Sequence, residues 1–170
     1  MPSSTATMTT PSHSCGPSRK STSAASKGAV LATCDSGYYC TRAALKLMEP
    51  QQYGRIVNIA SIAGISTGSA HSPGYSATKA AVVNMTKTAA FDVAGANIYV
   101  NAIACGGVVT PPFEAYLAKA TEEQKRNLYQ LIPAGRLGAP EEYASLAVYL
   151  ASDEHYIVGQ VISPNGGVVI

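Results

Sequence analysis

Two apolar runs on either side of an alanine-rich segment constrain the fold of this chain most. Residues 55–60 and 98–104 have the length and the apolar, β-branched content of strands. Residues 75–93 between them are rich in alanine and have the length of a helix. A strand, a loop, a helix and a second strand in this order are typical of a crossover between parallel strands, and the apolar second run is typical of a buried strand. The sequence therefore predicts an α/β fold with a parallel sheet.

Three polar residues of this unit have a pattern typical of proton transfer. Tyr75 and Lys79 are four residues apart, which places the phenol and the ammonium on one helix face with stems roughly 6 Å apart. A phenol has a pKa near ~10, and a neighbouring cation stabilises the phenolate, so that Tyr75 becomes a better acid-base group at neutral pH. Ser61 follows the first strand and would hold a substrate oxygen beside the phenol. Tyr and Lys at this spacing also occur by chance in helices, but the surrounding unit favours a catalytic interpretation.

Further motifs follow in the same order as in a known enzyme family. They are Val100-Asn101-Ala102-Ile103-Ala104-Cys105-Gly106, Ile132-Pro133-Ala134-Gly135-Arg136-Leu137-Gly138 with Pro140-Glu141-Glu142, and Gly159-Gln160-Val161-Ile162 with Asn165-Gly166-Gly167. Together with Ser61, Tyr75 and Lys79, they make the stretch from about residue 30 to residue 170 resemble the C-terminal half to two-thirds of a short-chain dehydrogenase/reductase. The resemblance implies a truncated Rossmann-like, doubly wound parallel sheet over residues 29–170. It also implies an NAD- or NADP-dependent oxidoreductase that interconverts a secondary alcohol and a ketone.

The resemblance also assigns roles to individual residues. Tyr75 would be the general acid/base, Lys79 would bind the nicotinamide ribose and lower the pKa of the tyrosine, and Ser61 would orient the substrate. The residues that would contact the cofactor are Tyr75, Lys79, Gly106, Val108 and Thr110.

The polar helical segment 111–131 would be the substrate lid, with Phe113 and Tyr116 as substrate contacts, although a solvated connecting helix explains this segment as well. In the family, the helices that correspond to residues 35–48 and 75–93 form the interface of a homodimer or homotetramer. Their alanines would serve an intramolecular helix contact equally well.

Departures from the family pattern suggest a second function. Thr33 stands where the family has an asparagine of its proton relay, and Cys105-Gly106 stands where it has Pro-Gly. No G-x-G-x-x-G turn for a cofactor pyrophosphate occurs anywhere in the sequence. The alternative hypothesis is a catalytically impaired fragment that acts as an oligomerisation or interaction protein. Ser76-Ala77-Thr78-Lys79 also fits the S-x-x-K of serine acyl-transferases, but their companion motifs Ser-Asp-Asn and Lys-Thr-Gly are absent.

The first 28 residues differ in composition from the rest. Thirteen of them are Ser or Thr, and none is acidic or is Val, Ile, Leu, Phe or Tyr. Such a segment buries too little apolar surface to offset its ordering entropy, so residues 1–28 are predicted to be a disordered leader. A misread gene start explains this composition better than an organelle-targeting peptide, because the segment contains a single arginine and no amphipathic stripe.

Charge and cysteine spacing exclude several functional classes. A net charge of +2 with 13% charged residues argues against a nucleic-acid-binding protein. No apolar run approaches the ~18 residues that a membrane-spanning helix needs, so no membrane partner is predicted. The four cysteines show no C-x-x-C spacing, and Cys and His form no metal-binding motif. A reduced, cytoplasmic setting without a metal is therefore expected.

Overall fold

A computed structural model describes residues 24–66, 72–153 and 156–170, and it describes side chains from residue 34 onward. The helices and strands in chain order are α1 (Ala24–Met48), β1 (Gly54–Ser61), α2 (Pro73–Val93), β2 (Ile98–Cys105), α3 (Pro111–Lys119), α4 (Glu122–Gln130), α5 (Pro140–Ala151) and β3 (Val161–Ile162). Short 3-10 turns cover residues 49–51, 62–64 and 94–96. Within these described residues, no helix is long and apolar enough to cross a membrane.

The three strands form one parallel sheet in the order β1-β2-β3. The register of β1 and β2 runs from Gly54 opposite Ile98 to Ser61 opposite Cys105. Both long strands therefore end at the same edge of the sheet, and the segments that follow them start side by side. The predicted parallel α/β fold is confirmed.

Helices cover both faces of the sheet. Ile56 packs into a cluster with Ala90 of α2 and Val100 of β2, whereas the side chain of its neighbour Arg55 donates to the backbone carbonyl of Ser152, directly after α5. Because successive side chains of a strand point to opposite faces, α2 and α5 lie on opposite sides of the sheet. α1 packs against α2, on the same side.

Some predicted boundaries differ from the structure. The helix predicted for residues 35–48 starts at Ala24, so the last five residues of the predicted leader are helical. Alanine, which has the highest helix propensity, occurs at four of the first nine positions of α1 and extends the helix towards its N-terminus. Residues 1–23 lie outside the described residues, and so does the side chain of Thr33.

The predicted helical segment 111–131 is two helices that meet at Ala120 and Thr121. The Thr121 hydroxyl accepts a hydrogen bond from the backbone N–H of Gln124, whose side chain in turn accepts from the backbone N–H of Thr121. This capping box fixes the start of α4 and separates it from α3.

One asparagine attaches the C-terminal segment to the sheet, and a second holds the turn within that segment. Asn101 of β2 is fully buried, donates to the carbonyl of Ile157 at 2.8 Å and accepts from the N–H of Gln160 at 2.9 Å. Asn165 holds its own turn by accepting from the N–H of Gly167 at 2.8 Å. The last strand and the turn after it are thereby fixed beside the end of β2.

Candidate active site

Ser61 lies at the carboxyl end of β1 and is 9% exposed. Its hydroxyl oxygen accepts a hydrogen bond of 3.2 Å from the backbone N–H of Ala63 and so caps the 62–64 turn. This bond uses the oxygen as an acceptor, which leaves the hydroxyl hydrogen available to a substrate oxygen.

Tyr75 and Lys79 project from the first two turns of α2, which begins at Pro73. The Tyr75 side chain is 40% exposed, and the Lys79 Nζ atom lies 5.9 Å from the centroid of its ring. The same ammonium donates a hydrogen bond of 2.9 Å to the backbone carbonyl of Ile59, two residues before Ser61 in β1. Lys79 therefore links α2 to the strand end that carries Ser61.

Close packing between the 62–64 turn and α2 fixes this link. A Cβ atom at Gly64 would lie 2.5 Å from the carbonyl carbon of Lys79 and 2.8 Å from the backbone nitrogen of Ala80. Real Cβ atoms essentially never approach other atoms so closely, so only glycine allows the turn to lie directly on α2 at Lys79. This role of Gly64 could not be predicted from the sequence, because the Ser61-Ile62-Ala63-Gly64 run gives no signal of a helix contact.

The predicted cofactor residues after β2 lie at the same edge of the sheet. The N–H of Gly106 donates to the carbonyl of Pro164 at 3.1 Å, and Val108 forms a parallel bridge with Gly138. Thr110 is the exposed residue that precedes α3. The segment 106–110 leaves β2 next to Ser61, because Ser61 and Cys105 are opposite each other in the register. Contacts with a cofactor remain a prediction for all three residues.

Cys105, the last residue of β2, lies at the same edge of the sheet and has a free, partly buried thiol. Burial raises the pKa of the Cys105 thiol, and the nearby Lys79 charge opposes this shift only in part. The thiol therefore stays protonated at neutral pH, which agrees with a packing role for the residue that replaces the family's proline.

α3 carries the two predicted lid residues. The rings of Phe113 and Tyr116 pack against each other with centroids 5.7 Å apart, and Tyr116 is 54% exposed. Neither α3 nor α4 contains a buried residue. A role as a substrate lid stays a prediction for this pair of helices.

Tyr143 of α5 also contributes to this region, although its position in the sequence gives no signal of such a role. Its hydroxyl donates to the carbonyl of Gly107 at 3.2 Å, and burial raises its pKa, so that the group stays a donor at neutral pH. The same helix start is held by Glu142, whose carboxylate accepts hydrogen bonds of 2.7 Å from both terminal nitrogens of Arg136 and one of 2.8 Å from the N–H of Ala139. No group of three or more potential metal ligands occurs in the described part of the chain.

Comparison with known proteins identifies the family. A family model described as enoyl-(acyl carrier protein) reductase matches residues 6–169. The chain belongs to the short-chain dehydrogenase/reductase family. The 3-oxoacyl-[acyl-carrier-protein] reductase FabG of Thermotoga maritima is 44% identical over 131 residues, which are 76% of this chain and 51% of that protein. The FabG protein of Rickettsia felis is 40% identical over 136 residues, 79% of this chain and 54% of that protein.

A solved structure agrees with this assignment. YwfH, described as an NADPH-dependent reductase involved in bacilysin biosynthesis, superposes with a TM-score of 0.72 at 31% sequence identity. The match covers 78% of this chain and 54% of that one. The chain thus spans about half the length of the curated relatives that it matches.

Proposed function

We propose that this chain carries the catalytic half of an NAD(P)-dependent oxidoreductase that interconverts a secondary alcohol and a ketone in the cytoplasm. The observation that supports the proposal most directly is the convergence of Ser61, Tyr75 and Lys79 at one strand end. Lys79 is hydrogen-bonded to β1 two residues before Ser61 and lies 5.9 Å from the ring centroid of Tyr75.

In the proposed reduction, the Ser61 hydroxyl donates a hydrogen bond to the substrate carbonyl oxygen and orients it beside Tyr75. Tyr75 donates its phenolic proton to that oxygen as the carbonyl carbon receives a hydride. The positive charge of Lys79 stabilises the phenolate that remains. Bound NAD(P)H supplies the hydride.

The residues present fit only one end of the cofactor. Gly106, Val108 and Thr110 follow the carboxyl end of β2, where parallel sheets bind ligands, and Lys79 offers an ammonium for ribose hydroxyls. The described residues contain no glycine-rich turn between a strand and a helix that would bind the pyrophosphate. We therefore expect the isolated chain to bind the cofactor weakly.

The FabG relatives, which are 3-oxoacyl-[acyl-carrier-protein] reductases, suggest the substrate for the test. With NADPH and an acetoacetyl thioester, cofactor oxidation at 340 nm should be slow in the wild type and at least ~10²-fold slower in Tyr75→Phe. Tyr156→Phe is the matched control, since Tyr156 is 95% exposed and outside the site. Turnover that survives Tyr75→Phe would refute the assigned mechanism.

We keep a non-catalytic interaction protein as the alternative function, because the described residues contain no turn that would bind the cofactor pyrophosphate. A fluorescence titration with NADH and NADPH separates the two proposals. If adding the protein does not change the nicotinamide fluorescence of millimolar NADH or NADPH, the oxidoreductase proposal fails for this chain. The interaction protein then remains.

We also propose that α1 and α2 form the interface of a homodimer or homotetramer. An open groove of about 660 Å³ runs between the two helices, lined by Tyr38 and Leu45 of α1 and by Met85 and Ala89 of α2. Light scattering should give a multiple of 17.5 kDa, and Ala89→Arg should shift it to the monomer mass. A monomeric wild type would refute this interface.

A further inference from the structure

The segment that follows β2 is held by backbone hydrogen bonds to two loops. The N–H of Gly106 donates to the carbonyl of Pro164, directly after β3, at 3.1 Å. The N–H of Val109 donates to the carbonyl of Gly138 at 2.9 Å, and the N–H of Gly138 donates to the carbonyl of Gly107 at 2.9 Å. The loop before α5 and the loop after β3 therefore set the path of this segment.

Tyr143 of α5 adds a bond from a side chain. Its hydroxyl donates to the Gly107 carbonyl at 3.2 Å, so this oxygen accepts from Tyr143 as well as from Gly138. The ring lies directly on Gly138, since a Cβ atom at that position would be 2.6 Å from the Cε2 atom and 2.7 Å from the hydroxyl oxygen of Tyr143. Glycine at position 138 therefore lets the phenol reach the segment after β2.

Packing supports this segment unevenly. The Leu137 side chain lies against Gly107, since a Cβ atom at Gly107 would be 2.5 Å from the Leu137 Cδ2 atom. Near Tyr143, Gly107 borders a cavity of about 130 Å³, whose lining also includes Gly138 and Glu142. Atoms next to a cavity lose van der Waals contacts, so the position of Gly107 on this side depends more on its hydrogen bonds.

We propose that Tyr143 is a positioning residue that holds segment 106–110 in the conformation that binds the nicotinamide end of NAD(P). The inference rests on the proposed function, in which Gly106, Val108 and Thr110 contact the cofactor. Tyr143 needs no contact with the cofactor for this role, because its hydroxyl acts on the backbone of the segment. The residue therefore contributes to cofactor binding and not to proton transfer.

The size of the effect follows from the equilibrium between a held and a released segment. Gly107 is exposed, so water competes for its carbonyl. Loss of one hydrogen bond shifts such an equilibrium by about 3- to 10-fold. The apparent affinity for a ligand falls with the fraction of the protein that is in the binding-competent state. Once bound, the cofactor itself holds the segment, so the rate of the complete complex should stay the same.

Amide exchange followed by NMR tests the bond without cofactor. Tyr143→Phe keeps the ring and removes the hydroxyl, so exchange at Val109 and Gly138 should become about 3- to 10-fold faster. Exchange at Ala102, within β2, should stay unchanged. Tyr156→Phe is the control, because Tyr156 is 95% exposed, and it should behave as the wild type at all three amides. Unchanged exchange at Val109 and Gly138 in Tyr143→Phe would overturn the inference.

An NADPH titration tests the link to the cofactor. Chemical shifts of segment 106–110 at up to millimolar NADPH give a dissociation constant without turnover, and Tyr143→Phe should raise it by about 3-fold or more. With the acetoacetyl thioester, the KM for NADPH should rise equally at unchanged kcat, a split that a loss of folded protein does not produce. A wild type without any shift refutes the proposed function, and the exchange rates then decide whether Tyr143 holds the segment. Equal binding by wild type and Tyr143→Phe refutes the positioning role alone.

Gly138→Ala removes the same bond by a second route. Its Cβ must push the far end of the Tyr143 side chain away from the Gly107 carbonyl, so NADPH affinity should fall as in Tyr143→Phe. The double variant should bind no more weakly than the weaker single variant, because both changes remove one bond. If the two effects multiply instead, Gly138→Ala acts on the backbone bridge itself, and the assigned route through the hydroxyl is wrong.

Discussion

Replacement of Gly64 by alanine should loosen the contact between the 62–64 turn and α2. The added Cβ would lie 2.5 Å and 2.6 Å from the carbonyl carbon and oxygen of Lys79, and 2.8 Å from the nitrogen of Ala80. Ordinary contacts of this kind are 3.4–4 Å, so the turn and the helix must separate by about 1 Å. All three atoms belong to the backbone, so no side-chain rotation can relieve the overlap.

The cost of this overlap can be isolated with a second glycine. Forcing extra atoms into a packed contact typically costs ~1–3 kcal/mol. Any Gly→Ala change also restricts the unfolded chain, which stabilises the protein by about 0.4–1 kcal/mol. At Gly95 a Cβ would meet nothing within 4 Å, so Gly95→Ala should show the second effect alone. The difference between the two variants cancels the unfolded-state effect and should be roughly 1–3 kcal/mol.

Urea unfolding followed by circular dichroism measures this difference, with equal m-values as the check that both variants unfold in the same way. Gly64→Ala should have the lower free energy of unfolding. If the free energies of unfolding of the two variants differ by less than about 0.5 kcal/mol, the turn moves away from α2 at little cost and the tight contact does not fix the site. If the α2 amides near Lys79 exchange at the same rate in Gly64→Ala as in the wild type, the contact likewise does not fix the site.

Three further predictions concern stability. Leu150→Ala should cost about 2–5 kcal/mol in urea unfolding, because the Leu150 side chain of α5 is fully buried. Asn101→Leu should cost about 1–3 kcal/mol for each backbone group that it leaves unpaired in segment 157–160, and limited proteolysis should then cut after residue 151. Hydrogen bonds from Arg136 lower the pKa of Glu142 from 4.5 to about 2, so its contribution is present above pH 4.5 and is lost as the pH falls towards 2. The acid-dependent loss of Tm in this range should be smaller in Glu142→Gln, and an identical pH profile would contradict the assignment.

The elements that the sequence predicted best are those with strong local signals. α5 runs from Pro140 to Ala151, and its start has a strong signal in the sequence, since proline at the first position and two glutamates in the first turn define a helix start. Only half of a capping box is possible there: the Glu142 carboxylate accepts from the N–H of Ala139, but alanine has no side-chain acceptor. β2 was predicted to within one residue, because its apolar run is continuous except at Asn101.

The contacts that the sequence could not predict depend on tertiary structure. Asn58 lies within an apolar strand, and nothing local indicates that its amide donates to Thr86 at 3.0 Å, across the interface of β1 and α2. Thr86, which is fully buried, in turn donates to the carbonyl of Val82. The bond from Lys79 to the Ile59 carbonyl could not be predicted either, because the acceptor of a long side chain depends on which groups the folded sheet places within its reach.

That bond connects the chemistry of the site to the sheet. In the chain as described, the Lys79 ammonium is 2.9 Å from the Ile59 oxygen and 5.9 Å from the centroid of the Tyr75 ring. The ammonium therefore holds the strand end that carries Ser61 and at the same time lies near the ring of Tyr75. Lys79→Met should therefore weaken the contact between β1 and α2 and also slow proton transfer, whereas Tyr75→Phe should affect proton transfer alone.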